Sequence, residues 1–414
     1  MRHLCVFLFI FLSFDCVFGQ EIKNKSITLQ EAIEIGIKNH PEMKAAKANI
    51  SASKGRYWSG ISLPQPEITY DNEFISPTKG LGNERTLSIS QSFEFPSVYF
   101  LKGNKFNKEE EKAYFQAFLI EKSIAYRIKS CYYKILVKQN QLKSAEEYLS
   151  IAEDFLKKSE IRLNVGEGTN LEKLTAKVQL SEARNYVEIA KNELKTAFAE
   201  FNNSIGIETN DHSFRLQDTL IFVDFSVDIN KYYKVLLDNS PQLKIAELNC
   251  EIASLEKSLA KSSYLPNLDL AYLSQTLDNQ SGFHGLTVGI SIPFWFMFEQ
   301  SGRVQEADAN RLIFESEYQL AKNDISLKLE NALIDFENSI SQVKFYTDDI
   351  LPQSEEIFRI ASKSYEVGEL AYLEYLQAKQ TLISSKNNYN NALFNYYQSI
   401  FKIEEIVGQN IINK

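Results

Sequence analysis

Residues that carry most protein chemistry are scarce in this chain. Of its 414 residues only four are cysteine, four histidine and three methionine. Cys5 and Cys16 lie near the N-terminus, and the remaining pair, Cys131 and Cys250, is too sparse for a disulfide framework. Both fall in helical patterns and are expected as packed thiols. His40, His212 and His284 are far apart and have no cysteine or carboxylate at metal-ligand spacing. With Met1 among the methionines there is no methionine relay for copper. Neither a nucleophile elbow nor a paired-carboxylate signature appears. The sequence therefore offers no catalytic residue, no metal ligand set and no cofactor site. Basic charge is not in excess either: the formal net charge is −9, which argues against a nucleic-acid binder.

Long apolar runs are absent except at the start, "MRHLCVFLFIFLSFDCVFGQ". Arg2 and His3 precede an apolar stretch from Leu4 to Phe14, and Val17 and Gly19 precede Gln20. That is the layout of a secretory signal peptide, and the stretch is too short to span a bilayer as a helix. Residues 1–19 are expected to be removed, taking Arg2 and Asp15 and leaving the net charge unchanged. Lipid attachment at Cys16 is the rival reading, but Asp15 stands where such sites want a small residue. No later run approaches the roughly 18 residues of a membrane helix. The mature chain is thus either soluble or enters a membrane as a β-barrel.

What the chain does have is duplication. "NHPEMKAA" at Asn39 returns as "NSPQLKIA" at Asn239, and "LPQPEITY" at Leu63 returns as "LPNLDLAY" at Leu265. "VGEGTNLEKLTAK" from Val165 returns as "VGELAYLEYLQAK" from Val367, and Ile205-Gly206 as Val407-Gly408. The units are placed at 20–208 and 231–408, with a connector at 209–230 and a tail at 409–414. Repetition on this scale is a duplication, not a short solenoid period. The glycines of "NVGEGTNLEKL" suggest a phosphate cradle, but no strand precedes them, no lysine follows, and Leu370 replaces Gly168 in the second copy. Gly166 and Gly368 are read instead as helix-ending glycines at the tips of helical hairpins.

Those hairpins have long arms. From Val98 to Asn164 there is no proline and one glycine, while Ile128, Ile135, Leu142, Leu149, Leu156 and Leu163 recur every seven residues. Such a helix would reach roughly 100 Å. Small residues shadow them at Cys131, Ala145, Ala152 and Ser159. The returning helix pairs Leu180, Val187, Leu194 and Phe201 with Ala176, Ala183, Ala190 and Ala197. In the second copy Leu382, Tyr389, Tyr396 and Ile403 run beside Ala378, Ser385, Ala392 and Ser399. Pro352, inside the second outgoing helix, is expected to kink or break it.

Each unit also carries two strands of strict alternation. Ile68, Tyr70 and Phe74, then Leu87, Ile89, Phe93 and Phe95, alternate with polar residues. In the second unit Leu268, Leu270 and Tyr272, then Leu286, Val288, Ile290 and Ile292, do the same. Hairpins are expected at 66–96 and 267–293. Their length suits tilted barrel strands, their loops "SPTKGLGNE" and "SQTLDNQSG" are polar, and Tyr57, Trp58, Tyr99, Phe100, Tyr264 and "PFWFMF" from Pro293 flank them as an interfacial girdle would. The alternative is that these aromatics cap a soluble core. Four strands cannot close a barrel, and open edges are not viable in lipid, so a membrane reading requires several copies to share one barrel.

Taken together, the leader, duplication, hairpins and tips resemble the TolC-type outer-membrane efflux proteins, from about Ile27 to Gly408. The motifs that carry the resemblance are Asn39-His40-Pro41, Asn239-Ser240-Pro241, the Leu-Pro before each first strand, Arg162 to Gly166 with Thr169, and Tyr365 to Gly368. "LPQPEITYDNEF" and the short chain look most like the heavy-metal-cation branch. The resemblance implies a mainly α fold with a membrane β-barrel: a homotrimer whose four strands per chain make twelve, continued by an α-helical barrel through the periplasm. It also implies partners: outer-membrane lipid, a periplasmic adaptor protein and an inner-membrane efflux pump.

Carried over to this sequence, Arg162, Leu163, Asn164, Val165, Gly166, Val367, Gly368 and Leu370 are the expected adaptor contacts. Tyr365 stands where the family has an iris tyrosine, and Glu374 near the constriction; Glu167, Thr169, Glu172 and Glu369 complete the expected iris. Leu370 replaces an arginine that some members use to latch the iris, and Gln377 a further acid, which puts an ionic latch in doubt. The four glutamates suit a cation-favouring ring, or are solvated carboxylates at helix starts. The function expected is a passive efflux duct in the outer membrane of a Gram-negative bacterium, for metal cations or small toxic compounds. A soluble periplasmic adaptor or coiled-coil scaffold is the alternative, and an enzyme a distant third.

Overall fold

A computed structural model describes residues 26–74, 83–207, 215–224, 240–277, 280–294 and 297–410. The leader, most of loop 76–84, His212, Asn239, Trp295 and Phe296 lie outside the described residues.

Each repeat carries a capped helix ahead of its hairpin, and the duplicated motif is the cap. Strand β1 (Ser26–Ile27) leads into α1 (Leu29–Asn39), where Thr28 and Glu31 form a capping box. Helix α2 (Pro41–Gly60) starts with Pro41 in its first turn, and His40 Nδ1 accepts the Glu42 N–H at 3.2 Å. Accepting requires neutral imidazole; burial, more than the opposing Glu42 carboxylate offsets, holds His40 below its ordinary pKa. In the second repeat α5 (Pro241–Ser262) has Ser240 in the same role, its hydroxyl accepting from Leu243 N–H at 3.4 Å. The first repeat's closing motif, Ile205-Gly206, packs on its Asn39-His40 motif. Gly206, with φ +72°, leaves only 3.1 Å between a hypothetical Cβ and the His40 backbone nitrogen, so the end of the repeat closes directly on its start.

The remaining elements occur in the predicted order. Strands β2 (Glu67–Phe74) and β3 (Asn83–Phe93) precede α3 (Pro96–Asn164), which is 69 residues long, and α4 (Asn170–Ser204) returns antiparallel to it. After β4 (Arg215–Leu216), which pairs in parallel with β1, come α5, β5 (Asn267–Leu277) and β6 (Gln280–Ser291). The second long arm is α6 (Glu299–Phe345) continued by α7 (Leu351–Glu366), and α8 (Tyr372–Val407) returns. Pro352 does not end this arm, and the α-helical ladder is interrupted just ahead of it. A single widened π-turn, Tyr346–Ile350, joins α6 to α7 just ahead of the proline. The missing N–H and the ring's clash with the carbonyl four residues back are absorbed where the ladder has already slipped by one residue.

Small residues make the closest seams. Ala145, Ala152, Ser159, Ala176, Ala183 and Ala197 are essentially inaccessible, whereas Leu142, Leu149, Leu156 and Leu163 are only half-buried. Backbones approach at the alanines, and the leucines flank the seam. About midway along the long arms, each repeat builds its own core: Ile124, Ile128, Tyr132, Ile135 and Phe201 in the first, Leu329, Phe336, Tyr396, Ile400 and Ile403 in the second. The two cores meet where the Tyr133 ring lies 4.3 Å from that of Tyr397 and 5.1 Å from that of Phe401. Beside them a buried ion pair, Lys129 Nζ to Glu404 Oε2 at 2.6 Å, ties α3 to α8. Cys131 and Cys250 are free, half-buried thiols, as their helical settings implied.

No helix among the described residues is long and apolar enough to cross a membrane. The strands form one antiparallel sheet in the order β2-β3-β5-β6, so hairpins some 200 residues apart in sequence lie side by side.

Removing one partner of the buried pair leaves the other charge without its counter-ion. Glu404→Ala is expected to destabilise the protein by about 3 kcal/mol, whereas joint replacement, Lys129→Met with Glu404→Leu, recovers most of the loss. Urea unfolding of the single and double variants decides this; equal losses would show that the charge pairing is not what matters.

Candidate functional site at the hairpin tips and the sheet

Register places the alternating residues of the sheet on opposite faces. Ile68, Ile89, Tyr272 and Leu286 are cross-strand neighbours in one row spanning all four strands. These side chains, with Tyr70, Leu87, Leu268, Leu270, Val288 and Ile290, are exposed; Leu286 retains 75% and Ile68 66% of its accessible surface. An apolar face this continuous is not left to water in a stable monomer. On the opposite face β2 carries Glu67, Thr69, Asp71 and Glu73, and β3 carries Glu84, Thr86, Ser88, Ser90 and Ser92. Thr69 and Ser88 hydroxyls meet at 2.6 Å, Ser291 donates to Asp269 at 2.5 Å, and Gln275 donates to Glu84. Five carboxylates, those of Glu67, Asp71, Glu73, Glu84 and Asp269, lie on this face, and no lysine or arginine of the described strands joins them. Strands β2 and β6 are the sheet's free edges.

At the other end of the long helices the two tips share a scaffold. Gly166 and Gly368 have φ +83° and +79°, the left-handed conformation that ends a helix. Glu167 and Gly168 both donate to Arg162 O at 2.9 Å, and Glu369 and Leu370 donate to Ser364 O at 2.9 and 3.2 Å. The starts of the two return helices differ. Thr169 caps α4, its Oγ1 accepting from Glu172 N–H while the Glu172 carboxylate accepts from Thr169 N–H, each at 3.2 Å. Ala371 gives α8 no such cap, although Glu374 stands at the matching third position.

The expected iris and adaptor residues are accordingly in different environments. Asn164, Val165, Gly166, Glu167, Thr169, Val367, Gly368, Glu369 and Glu374 are exposed. Glu172 is engaged in its own capping box, which is the local helix-start role weighed for it. Arg162, Leu163 and Leu370 are half-buried, and Tyr365 is buried. Tyr365 stacks on Tyr375 at 5.0 Å, and the Arg162 guanidinium carbon lies 6.0 Å from its ring centre. Phe155 of α3 stacks nearly parallel on Tyr372 of α8, with ring centres 3.7 Å apart, and Tyr372 Oη donates to Gln179 of α4 at 2.6 Å. Burial pushes both the Tyr365 and Tyr372 phenols up, so both stay neutral donors.

An aromatic cluster with one arginine therefore joins the hairpins, and Leu370 packs against it where a basic latch residue was weighed. Sequence reading named Tyr365 but missed Phe155, Gln179, Tyr372 and Tyr375. The only signal was the tyrosine spacing in "AYLEYL". No group of three or more metal-ligating side chains exists among the described residues.

A sheet of this kind at one end of paired helices some 100 Å long defines an outer-membrane channel with a helical extension. Residues 232–409, in the second half of the chain, match the outer membrane efflux protein family. The second repeat matches that family, and the function this likeness supports is a passive efflux channel. It is 20% identical over 385 residues to the cobalt-zinc-cadmium resistance protein CzcC of Cupriavidus metallidurans, covering 92% of this chain and 90% of that one. Two solved structures share the fold. The outer membrane protein VceC of Vibrio cholerae has a TM-score of 0.79 at 14% identity, covering 93% of this chain and 97% of that one. The CmeC outer membrane channel of Campylobacter jejuni has a TM-score of 0.79 at 15% identity, covering 100% and 96%.

The unequal caps give a direct test. Ala371→Thr completes a capping box with Glu374 and is expected to stabilise the second tip by about 1 kcal/mol, and Thr169→Ala to destabilise the first by as much. Limited proteolysis at 165–170 and 367–372 should slow in the former and quicken in the latter.

Proposed function

We propose that this chain is the outer-membrane duct of a tripartite efflux system, working as a homotrimer and passing metal cations outward without chemistry of its own. The sheet carries this reading. Its apolar face is exposed in the single chain, and its edges β2 and β6 run antiparallel to one another, so copies joined edge to edge continue one antiparallel barrel without a parallel seam. In lipid each unpaired backbone group costs several kcal/mol, so closure is obligatory. A soluble adaptor or scaffold would use the same helical hairpins but has no use for such a sheet.

The cargo reading rests on charge. In a closed barrel the face opposite the apolar one lines the lumen, which would then carry five carboxylates per chain and no described strand cation. Rings of carboxylates raise the local concentration of cations and repel anions. The relative named for cobalt, zinc and cadmium resistance agrees with that chemistry. Metal ions are substrate here, held nowhere and passed along. The adaptor is assigned to the exposed tip residues Asn164 to Gly166 with Val367 and Gly368, and to the flanking Arg162, Leu163 and Leu370; an inner-membrane pump supplies the cargo. The iris is assigned to Tyr365 with Glu167, Thr169, Glu172, Glu369 and Glu374.

Outer-membrane material in detergent should run as a three-chain species that falls to one chain on boiling; a monomer before and after heating would defeat the duct reading. In planar bilayers the wild type should be cation-selective. Joint replacement Glu67→Gln, Asp71→Asn, Glu73→Gln, Glu84→Gln and Asp269→Asn should move the reversal potential in a salt gradient toward zero. An unchanged potential would place selectivity elsewhere.

A further inference from the structure

Lys379 of α8 is buried, 2% exposed within a single chain, so subunit association is not what removes it from water. Its Nζ lies 4.3 Å from the centre of the Tyr148 ring on α3. Among the described residues no carboxylate is within ion-pair distance of it. The charged groups nearby are used elsewhere. On α3, Glu147 faces Lys386 at 3.8 Å, two turns further along α8. On α4, Glu182 acts on the Tyr148 phenol, which burial keeps neutral, and Tyr186 meets Tyr148 edge-on at 6.4 Å. On α7, Glu355 and Glu356 are on the exposed side, and Glu356 pairs with Arg359. On α8 itself the neighbour one turn back is Tyr375, stacked on Tyr365.

A ring face attracts an ammonium ion far less than full burial without a counter-charge penalises it. The residue therefore sits in the seam between the first hairpin and the second as an unneutralised charge, a short way along α8 from the aromatic cluster that closes the same seam. We propose that Lys379 is a built-in opposing charge that biases the seam between α3 and α8 toward parting, and so lowers the barrier to opening of the helical tunnel. This rests on the duct reading, in which the hairpins have to part to pass cargo.

Burial also fixes the direction of the pH response. It pushes Lys379 down to about 8 from its ordinary 10.5, and parting α3 from α8 returns it to water. The parted state thus binds the proton more tightly. Closure is fully weakened at every pH below about 8, where the lysine is charged in both states, and recovers as pH rises toward 10.5. At neutral pH the bias is always present.

The test is the distance between the two tips. Nitroxides on Val165→Cys and Val367→Cys, in full-length protein carrying Cys131→Ser and Cys250→Ser, are read by double electron–electron resonance at pH 7 and pH 9.5. In the parent protein the ratio of parted to closed tips should fall roughly tenfold to thirtyfold between these pH values. Lys379→Met, near in volume and uncharged, should show the low ratio at both. Lys379→Arg, charged throughout, should keep the high ratio at both. The idea is overturned if the parent shows no pH response, or if Lys379→Met matches the parent at pH 7. Trimer mass and bilayer conductance of the same samples report on the duct separately. A conducting trimer with unmoved distances sinks only the seam charge, and a pH response in a non-conducting monomer sinks only the duct.

Discussion

The fold depends on the fact that hydrocarbon supplies no hydrogen bonds to backbone. A four-stranded sheet with one apolar face must keep that face out of water, and once in lipid it must pair the N–H and C=O groups along β2 and β6. Other copies of the same sheet meet both demands. The duplication makes that geometry available, because two hairpins give an even number of strands whose outermost members run in opposite directions. Assembly is thus the remaining half of the chain's folding problem, not an addition to a finished monomer.

The helical part answers a different demand. A long tunnel wall cannot rely on a thick core, since each helix has neighbours on few sides. Close approach at alanine and serine seams supplies dense backbone contact instead, and two compact cores midway along the arms supply bulk burial. Between these cores and the tips the seam of α3 with α8 is held by a few specific groups. Ser130, Lys129 and Tyr133 engage Gln398, Glu404 and Tyr397 midway along α3, Asn140 and Gln141 engage Asn390 and Asn391, and Phe155 engages Tyr372 near the tip. A wall fastened firmly at mid-length and by a small aromatic cluster at its tip is one whose free end can move.

How much of this was legible in sequence depended on whether a feature is local. Caps, helix-ending glycines and strand alternation are set by residues a few positions apart, so His40, Ser240, Gly166, Gly368 and both hairpins were readable, and the duplication showed each of them twice. Pro352 marked where the second arm is irregular but not the form of the irregularity, because the slip at Tyr346–Ile350 leaves no signature in composition. The tip cluster was mostly invisible for another reason. Phe155 lies within a heptad pattern that explains it adequately as ordinary packing, and nothing local says that the rings closing on it come from a helix more than 200 residues away. Lys379 was missed likewise, since a lysine between Ala378 and Gln380 reads as a solvated face until the other repeat covers it.

The two repeats show where duplication stops being symmetry. Their starts and ends superimpose in role down to the cap and the closing glycine, because every copy must solve the same backbone problem there. At the tips they diverge: one return helix is boxed by Thr169 and Glu172, while the other begins at Ala371 with Glu374 unengaged by any cap. The outgoing arms diverge too, one continuous over 69 residues and the other interrupted by a π-turn ahead of Pro352. Each difference weakens the second hairpin relative to the first, and the buried charge of Lys379 also belongs to the second. A duct made of two rigid hairpins would stay shut, and one made of two loose hairpins would not hold its bore. Placing the weaknesses in one copy leaves the first as a fixed wall against which the second can yield.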